Sequence, residues 1–366
     1  MPWNWELKNW PQFTYDSDQI SQREKEFLLA VGKASGCLKS VNEGDSRKLI
    51  IEILSLEGLE SAKIEGETLD RQSLQSSIER HFGLNSAPKK PSVKEAGMAE
   101  LLCNAYETFD KPLTHEMLGQ WHALLFKGRS NGIEIGEYRT HKEPMQIVSN
   151  RYGSLKVFFE APPSNQVKKE MDVFIKWFNE SRKNLSALQR AAIAHIYFES
   201  IHPFEDGNGR IGRVLVEKIL SQSVGEAVLV AISHVLKKRK KEYYEELQKC
   251  NLNLDATDWV EFFTHVILQA QQESIERIYF ILTKSKMLAA LSEKLNARQE
   301  KVLIRIFAEG TTGFKGGLSA KNYMSIVKCS RATATRDLNE LVHIKALIKV
   351  GDLRYARYLL NIKNWR

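Results

Sequence analysis

Cysteine is scarce in these 366 residues. Cys37, Cys103, Cys250 and Cys329 stand far apart, with no paired spacing and no clustered histidines around them. That pattern argues against a disulfide framework and against a zinc site, so the four read as buried thiols. Long apolar runs are missing as well. The longest, such as Ala227-Val228-Leu229-Val230-Ala231-Ile232, fall far short of the ~20 residues that span a bilayer. The opening Met1-Pro2-Trp3-Asn4-Trp5-Glu6 lacks a basic start followed by an apolar run, so no signal peptide is visible. No membrane partner and a cytoplasmic location are the resulting expectations. Also absent is Gly-Lys-Ser/Thr after a strand, which excludes a P-loop.

What remains is ordinary for a soluble globular protein of two or three domains: 43% hydrophobic and 27% charged residues. The charge is unevenly placed. Residues 291–366 hold 15 Lys and Arg against 6 Asp and Glu, net +9, so the whole chain's +8 leaves the remainder at −1. The basic character belongs to the C-terminal segment.

The first fifteen residues carry Trp3, Trp5, Trp10, Phe13 and Tyr15, too aromatic for a free tail, and should pack on the body of the protein. Apolar residues recur at helical spacing over 19–39 and 47–65. Gly44 and Asp45 separate the two, with Asp45 or Ser46 as cap. Ser61 and Glu65 share one helix face, and Gly66 suits a left-handed cap. On these local signals Glu65 is either a solvated carboxylate near a helix end or a functional one. A helical segment over 69–84, a surface connection over 86–92, and helices over 95–109 and 114–126, the last capped by Thr114, follow.

Helical spacing lapses between 137 and 163. Gln146, Ile147, Val148 and Ser149, a turn at Asn150-Arg151-Tyr152-Gly153, and residues 155–159 read as a β-hairpin ending at Pro162-Pro163. Its exposed edge can accept an extended segment from another chain. Helices resume over 167–179 and 188–200. The latter is apolar nearly all round and belongs at the domain centre, with His195 as a hydrogen-bonded core histidine. Further helices cover 211–221, 240–250 and 259–286.

The densest chemistry lies in His202-Pro203-Phe204-Glu205-Asp206-Gly207-Asn208-Gly209-Arg210-Ile211-Gly212-Arg213. A loop feeding a new helix is an anion site, because free amides at the helix start point at the ligand. Gly207 and Gly209 let the backbone approach phosphate, and Asn208 can donate its side-chain amide. Asp206 offers the hard oxygen that Mg²⁺ prefers. Arg210 and Arg213 can neutralise phosphate in fork geometry. His202 can take a proton from an attacking hydroxyl, and Phe204 anchors the loop.

This stretch resembles the signature of Fic domains, His-x-Phe-x-Asp/Glu-Gly-Asn-Gly-Arg-x-x-Arg, with every fixed position matched. The resemblance implies transfer of AMP from ATP to a Ser, Thr or Tyr hydroxyl of a target protein or of the chain itself. It makes His202 the general base and Asp206 the Mg²⁺ ligand. The implied ATP- and phosphate-binding set is Phe204, Glu205, Gly207, Asn208, Gly209, Arg210, Arg213, Tyr243 and Tyr244. The hairpin resembles the family's target-docking flap through Gln146, Ile147, Val148 and Ser149, flanked by Gly136-Glu137-Tyr138-Arg139 and Pro162-Pro163. Ser61, Glu65 and Gly66 resemble an inhibitory helix motif, which implies that Glu65 pairs with Arg213 and blocks the γ-phosphate clamp.

The last segment changes pattern. Helices over 297–308, 318–327 and 330–342, a glycine-rich break over 310–317, and paired strands around Gly351-Asp352 resemble a winged helix-turn-helix. Arg331, Thr333 and Arg336 are its candidate DNA contacts. The expected architecture is therefore mainly α: an N-terminal helical domain (1–94), a helical catalytic core with a hairpin flap (95–290) and a winged-helix domain (291–366). A homodimer is compatible with it. The alternative functions are a DNA-binding regulator with a nucleotide-sensing core, or a relative that transfers phosphate or removes AMP.

Overall fold

The computed structural model describes residues 2–17, 20–84, 92–128, 132–151, 154–310, 314 and 316–365. The expected connection over 86–92 lies outside these apart from Ser92. So do Tyr152 and Gly153 of the hairpin turn, and residues 311–313 and 315 of the glycine-rich break. The chain forms two compact units, Met1–Ser274 and Ile275–Arg366. As the residue spacing predicts, the fold is mainly α, with only short antiparallel strand pairs among the described residues.

The first unit opens with α1 (Ile20–Lys39), α2 (Glu43–Ile64), α3 (Arg71–His81), α4 (Val93–Glu107) and α5 (His115–Leu125). Strands β1 (Gln146–Arg151) and β2 (Ser154–Glu160) form the hairpin, and α6 (Ser164–Glu180) follows. Then come α7 (Ala187–Ile201), α8 (Asn208–Val224), α9 (Ile232–Lys238), α10 (Lys240–Cys250) and α11 (Thr257–Leu291). Helix α2 starts earlier than expected. Asn42, not Asp45 or Ser46, is its cap, accepting Asp45 N–H at 2.9 Å. Gly44 and Asp45 therefore fall inside the first turn, where Asp45 favours the positive end of the helix dipole. Helix α9 had no expectation, since its seven residues are too few for a readable period.

Helix α7 is the axis of this unit. Its Ala191, Ala192, Ala194, Ile193 and Ile196 are all buried, as their apolar all-round pattern requires. Ser186 and Gln189 form a capping box at its start. Glu24 of α1 adds a second cap, accepting the N–H groups of Ala187 and Leu188 at 2.9 and 3.0 Å. The α7 C-terminus and the start of α8 then sit deep in the core, which fixes the loop between them.

The N-terminal aromatics pack on this body. Trp10 meets Tyr197 edge-on at 5.2 Å between ring centroids, and Trp3 meets Phe159 at 5.5 Å. Asn4 is fully buried, donating to Ser200 Oγ at 2.8 Å and to the Cys250 carbonyl at 3.0 Å. All four cysteines are free, but only Cys103 and Cys250 are buried. Cys37, on α1, and Cys329, in the turn between Val327 and Arg331, are half-buried. No helix among the described residues is long and apolar enough to cross a membrane.

The second unit begins inside α11, earlier than the expected residue 291, because Phe280, Met287 and Leu291 enter its core. It continues through α12 (Ala297–Ala308), α13 (Ala320–Val327), α14 (Arg331–His343), β3 (Leu347–Val350) and β4 (Arg357–Leu360). Leu318 pairs with Tyr358, so an extended residue before α13 joins the β3–β4 hairpin. Asn296, Ser319 and Ser330 cap the three helices.

Asn4→Ala should lower stability by about 2 kcal/mol, because it strips partners from buried polar groups. A thermal melt should then fall by roughly 4–8 °C. An unchanged melting temperature would show that the N-terminal stretch is not part of the cooperative core.

Candidate active site

Helix α7 ends at His202, whose φ of 51° is left-handed. That turn throws the imidazole out of the helix line toward a cavity of about 910 Å³. Phe204 anchors the loop beneath it, stacked on His122 with ring centroids 4.3 Å apart. The Asn208 side chain closes the loop from within: its Oδ1 accepts Phe204 N–H at 2.9 Å, and its Nδ2 donates to the Phe204 carbonyl at 2.8 Å. The amide oxygen and one of the two amide N–H groups are thus used in shaping the loop. Helix α8 also offers its first-turn backbone N–H groups, which have no intrahelical acceptor and no side-chain cap. Gly207 must be glycine twice over. Its φ is +86°, and a Cβ there would lie 2.8 Å from the Phe126 ring.

Two residues that sequence reasoning undervalued hold this loop. Arg139, matched only as a flank of the hairpin, is buried and spans the site. Its Nε donates to the His202 carbonyl at 2.8 Å, Nη1 to Ser164 Oγ at 3.0 Å, and Nη2 to the Pro162 and Ile201 carbonyls at 2.6 and 3.2 Å. It thus ties the end of α7 to the end of the hairpin. His122 bridges backbone to backbone, its Nδ1 accepting Gly136 N–H at 2.9 Å and its Nε2 facing the Asp206 carbonyl at 3.2 Å. Burial pushes its pKa down to about 4, so it stays neutral. Neither role has a sequence signal, because both depend on contacts across the fold.

His202 Nδ1 lies 3.3 Å from the Glu199 carbonyl, which assigns the proton to Nδ1 and leaves Nε2 as a base. Burial holds its pKa down at about 4. Glu199 itself is a buried carboxyl 3.8 Å from the same nitrogen. Burial, and then the charge of Glu65, push its pKa up to about 8, against the pull of Arg213. Gly212 makes room for it, since a Cβ there would come within 2.9 Å of Glu199 Oε1.

The Asp206 side chain is 56% exposed. Its Oδ1 accepts Gly207 N–H at 2.6 Å and Arg210 Nη2 at 3.1 Å, and among the described residues its Oδ2 accepts no hydrogen bond. Arg210 is buried between Asp206 and Glu67, 3.1 Å from each. Glu205 accepts the Glu134 N–H at 3.3 Å through Oε2 and lines the cavity wall. Among the described residues no group of three His, Cys, Asp or Glu side chains could hold a metal unaided.

Arg213, 1% exposed, is gripped from α2. Ser61 Oγ accepts its Nε at 3.0 Å, the Ser61 carbonyl accepts Nη2 at 3.1 Å, and Glu65 Oε1 accepts Nη2 at 2.8 Å. Glu65 is thus no solvated carboxylate. Although burial works against the charge, Glu65 holds the guanidinium pKa above its usual value. Gly66, at φ +78°, turns the chain out of α2. A side chain at Gly209 would collide with Glu65 Oε1, so that glycine seats the carboxylate.

A second set of contacts holds α2 along one stripe. Ser233 donates to Glu57 from both its N–H, at 2.8 Å, and its hydroxyl. Lys237 pairs with Glu60 at 2.9 Å, and Lys240 donates to the Ile64 carbonyl at 2.5 Å. Residues 57, 60 and 64 of α2 therefore meet 233, 237 and 240 of α9 and α10 in parallel register.

The hairpin forms the far rim. Gln146 donates to Glu160 at 2.7 Å, Ile147 and Val148 are 41% and 45% exposed and line the cavity, and Ser149 pairs with Lys156. The two strands pair only with each other among the described residues. Tyr243 and Tyr244 line the opposite side. Tyr243 is buried, with its hydroxyl on His195 Nε2 at 2.8 Å, so His195 is the core histidine the sequence predicts. The Tyr244 ring is exposed beneath Lys240, at 5.7 Å. Arg331, Thr333 and Arg336 lie in the second unit.

Residues 3–84 match a domain of unknown function (DUF4172), and residues 112–220 match the Fic/DOC family. The chain is 24% identical over 275 residues to a protein adenylyltransferase of Caenorhabditis elegans, covering 73% of this chain and 50% of that protein. It is 31% identical over 124 residues to a probable protein adenylyltransferase of Aquifex aeolicus, covering 34% and 35%. It spans about half the length of the C. elegans relative. The crystal structure of a Fic family protein from Desulfovibrio desulfuricans G20 shares the fold at a TM-score of 0.56 and 22% identity, covering 96% of this chain and 98% of that one. The signature loop from His202 to Arg213, closed by Asn208 and Phe204, lies within the matched segment, and the chain contains a Fic/DOC-family domain.

Proposed function

We propose that this chain transfers AMP from ATP to a Ser, Thr or Tyr hydroxyl of a protein, and that Glu65 holds the reaction off. One observation carries the reading: Glu65 lines the same cavity that a neutral His202 faces and, with Ser61, engages the buried Arg213. The names of the relatives support the reaction class.

Each residue has a separable task. His202 Nε2 takes the hydroxyl proton as the substrate oxygen bonds to the α-phosphorus, and pyrophosphate leaves with the broken P–O bond. The first amides of α8 and the Arg210 guanidinium receive phosphate charge. Asp206 fits a magnesium ion, since its half-exposed carboxylate keeps one oxygen free and lacks neighbouring protein ligands, which leaves phosphate and water to complete the shell. Bound there, the ion would neutralise phosphate charge. Arg213 serves the terminal phosphate only when Glu65 withdraws. Tyr243 and Tyr244 flank the base, and the free hairpin edge at Gln146 to Ser149 takes an extended target segment.

Glu65→Gly should raise AMP transfer at least tenfold, read as a mass gain of intact protein or target with ATP and Mg²⁺. Adding His202→Ala should remove about 10²-fold or more of it. A gain matching phosphate in place of AMP would overturn the reaction class.

The pH profile tests the base. The lowered His202 pKa means that the proton-accepting form persists as pH falls, until it reaches about 4. The rate of the Glu65→Gly protein should change less than about twofold between pH 6 and 8 through this group. A limb near the ordinary histidine value of ~6.5 would contradict a buried neutral base.

The α9–α10 contacts should hold the inhibitory helix independently of Arg213. Ser233→Ala and Lys240→Met should each speed amide exchange over residues 61–65 about fivefold, the loss of roughly one hydrogen bond. Unchanged protection would make those contacts incidental.

A further inference from the structure

Three consecutive residues near the start of the chain reach three walls of the candidate active site. Trp3 packs edge-on against Phe159 near the end of β2, with ring centroids 5.5 Å apart. Trp5 Nε1 donates to the Glu160 carbonyl at 2.7 Å. Between them, the Asn4 N–H donates to the carbonyl of Asn251, just past α10, at 2.8 Å. The Asn4 side chain holds Ser200 of α7, two residues before His202. Phe159 and Asn251 themselves line the cavity. The same segment is tied down farther along, where Thr14 N–H donates to the Leu254 carbonyl at 2.9 Å and Trp10 Nε1 donates to Glu170 of α6 at 2.8 Å.

The contacts fall where the free edge of the hairpin begins. Glu160 pairs with Gln146 and Phe159 with Ile147, and the register shifts between Ile147 and Val148. A bulge there bends β1 and re-aims the side chain that follows. Two strands alone are marginal in water, and among the described residues these two pair only with each other. The placement of the hairpin therefore comes from contacts outside it, among them Arg139 at the Pro162 carbonyl and the two tryptophans. Trp3 and Trp5 are half-buried, so their side chains can be trimmed without opening the core.

We infer that Trp3, Asn4 and Trp5 form a clamp that sets the distance between the hairpin edge and the α10 side of the cavity, and so position the protein segment that receives AMP. The clamp gives a task to the start of the segment matched by a domain of unknown function. Its consequence rests on the AMP-transfer reading, whereas the clamp itself is measurable without it.

The test is amide hydrogen exchange of the full chain, read at residues 146–148 and 157–160. Trp3→Ala with Trp5→Phe should speed exchange there about fivefold or more, while α7 keeps its protection. Trp3→Phe alone keeps an aromatic edge on Phe159 and should stay within about twofold of the native chain. Trp10→Phe removes a hydrogen bond of the same segment that does not reach the hairpin, and should leave exchange there unchanged. In the Glu65→Gly protein, the Trp3→Ala and Trp5→Phe pair should lower AMP transfer about fivefold or more, while the Kd of a fluorescent ATP analogue stays within about twofold. Unchanged hairpin exchange, or equal acceleration in α7 or with Trp10→Phe, would overturn the clamp. Faster hairpin exchange with undiminished AMP transfer would overturn its role in positioning the target. No AMP gain in the Glu65→Gly protein itself would count against the reaction, and the exchange result would still decide the clamp.

Discussion

A buried guanidinium needs a counter-charge, and the first unit supplies one to Arg213 from α2. Arg213 sits at the centre of the unit with almost no access to water, where an unpaired charge is costly. In this structure α2 supplies the compensation through Ser61 and Glu65. Any competitor must bring negative charge of its own and displace a carboxylate held at 2.8 Å. That requirement states what kind of group can replace Glu65: an anion, delivered to the same nitrogens.

The rest of the site is built to tolerate that substitution without collapsing. The loop from His202 to Asn208 does not lean on α2. It is closed by Asn208 against the Phe204 backbone, stacked through Phe204 on His122, and tied to the hairpin by Arg139. The first amides of α8 and the His202 imidazole are thus held by contacts that do not involve Arg213. The Glu65 contact engages Arg213, while Arg210 is held separately by Asp206 and Glu67. Glu199 adds an electrostatic thread, since its buried carboxyl responds to Glu65 and Arg213 while standing 3.8 Å from His202.

The parallel contacts from α9 and α10 explain why α2 can stay put on so few bonds to Arg213. Glu57, Glu60 and Ile64 recur at the helical spacing that puts them on one face. Their partners Ser233, Lys237 and Lys240 recur in the same way. Lys240 also overlies Tyr244, so a residue that fixes α2 also shapes one side of the cavity.

Much was legible in the sequence where chemistry and spacing are local. The twelve-residue signature, the Ser61–Glu65 pairing on one helix face, the hairpin and the basic C-terminal segment all follow from residue type and period. A helical or strand repeat needs only neighbouring residues to declare itself. Tertiary structure alone decided what lies beyond that reach. It made Asn208 the bolt of its own loop and gave Arg139 and His122 their bridging roles. It also brought Glu199 beside His202. Each of these depends on which buried donor finds which acceptor across distant stretches of chain. That matching is settled by the packed core, where every buried polar group must find a partner.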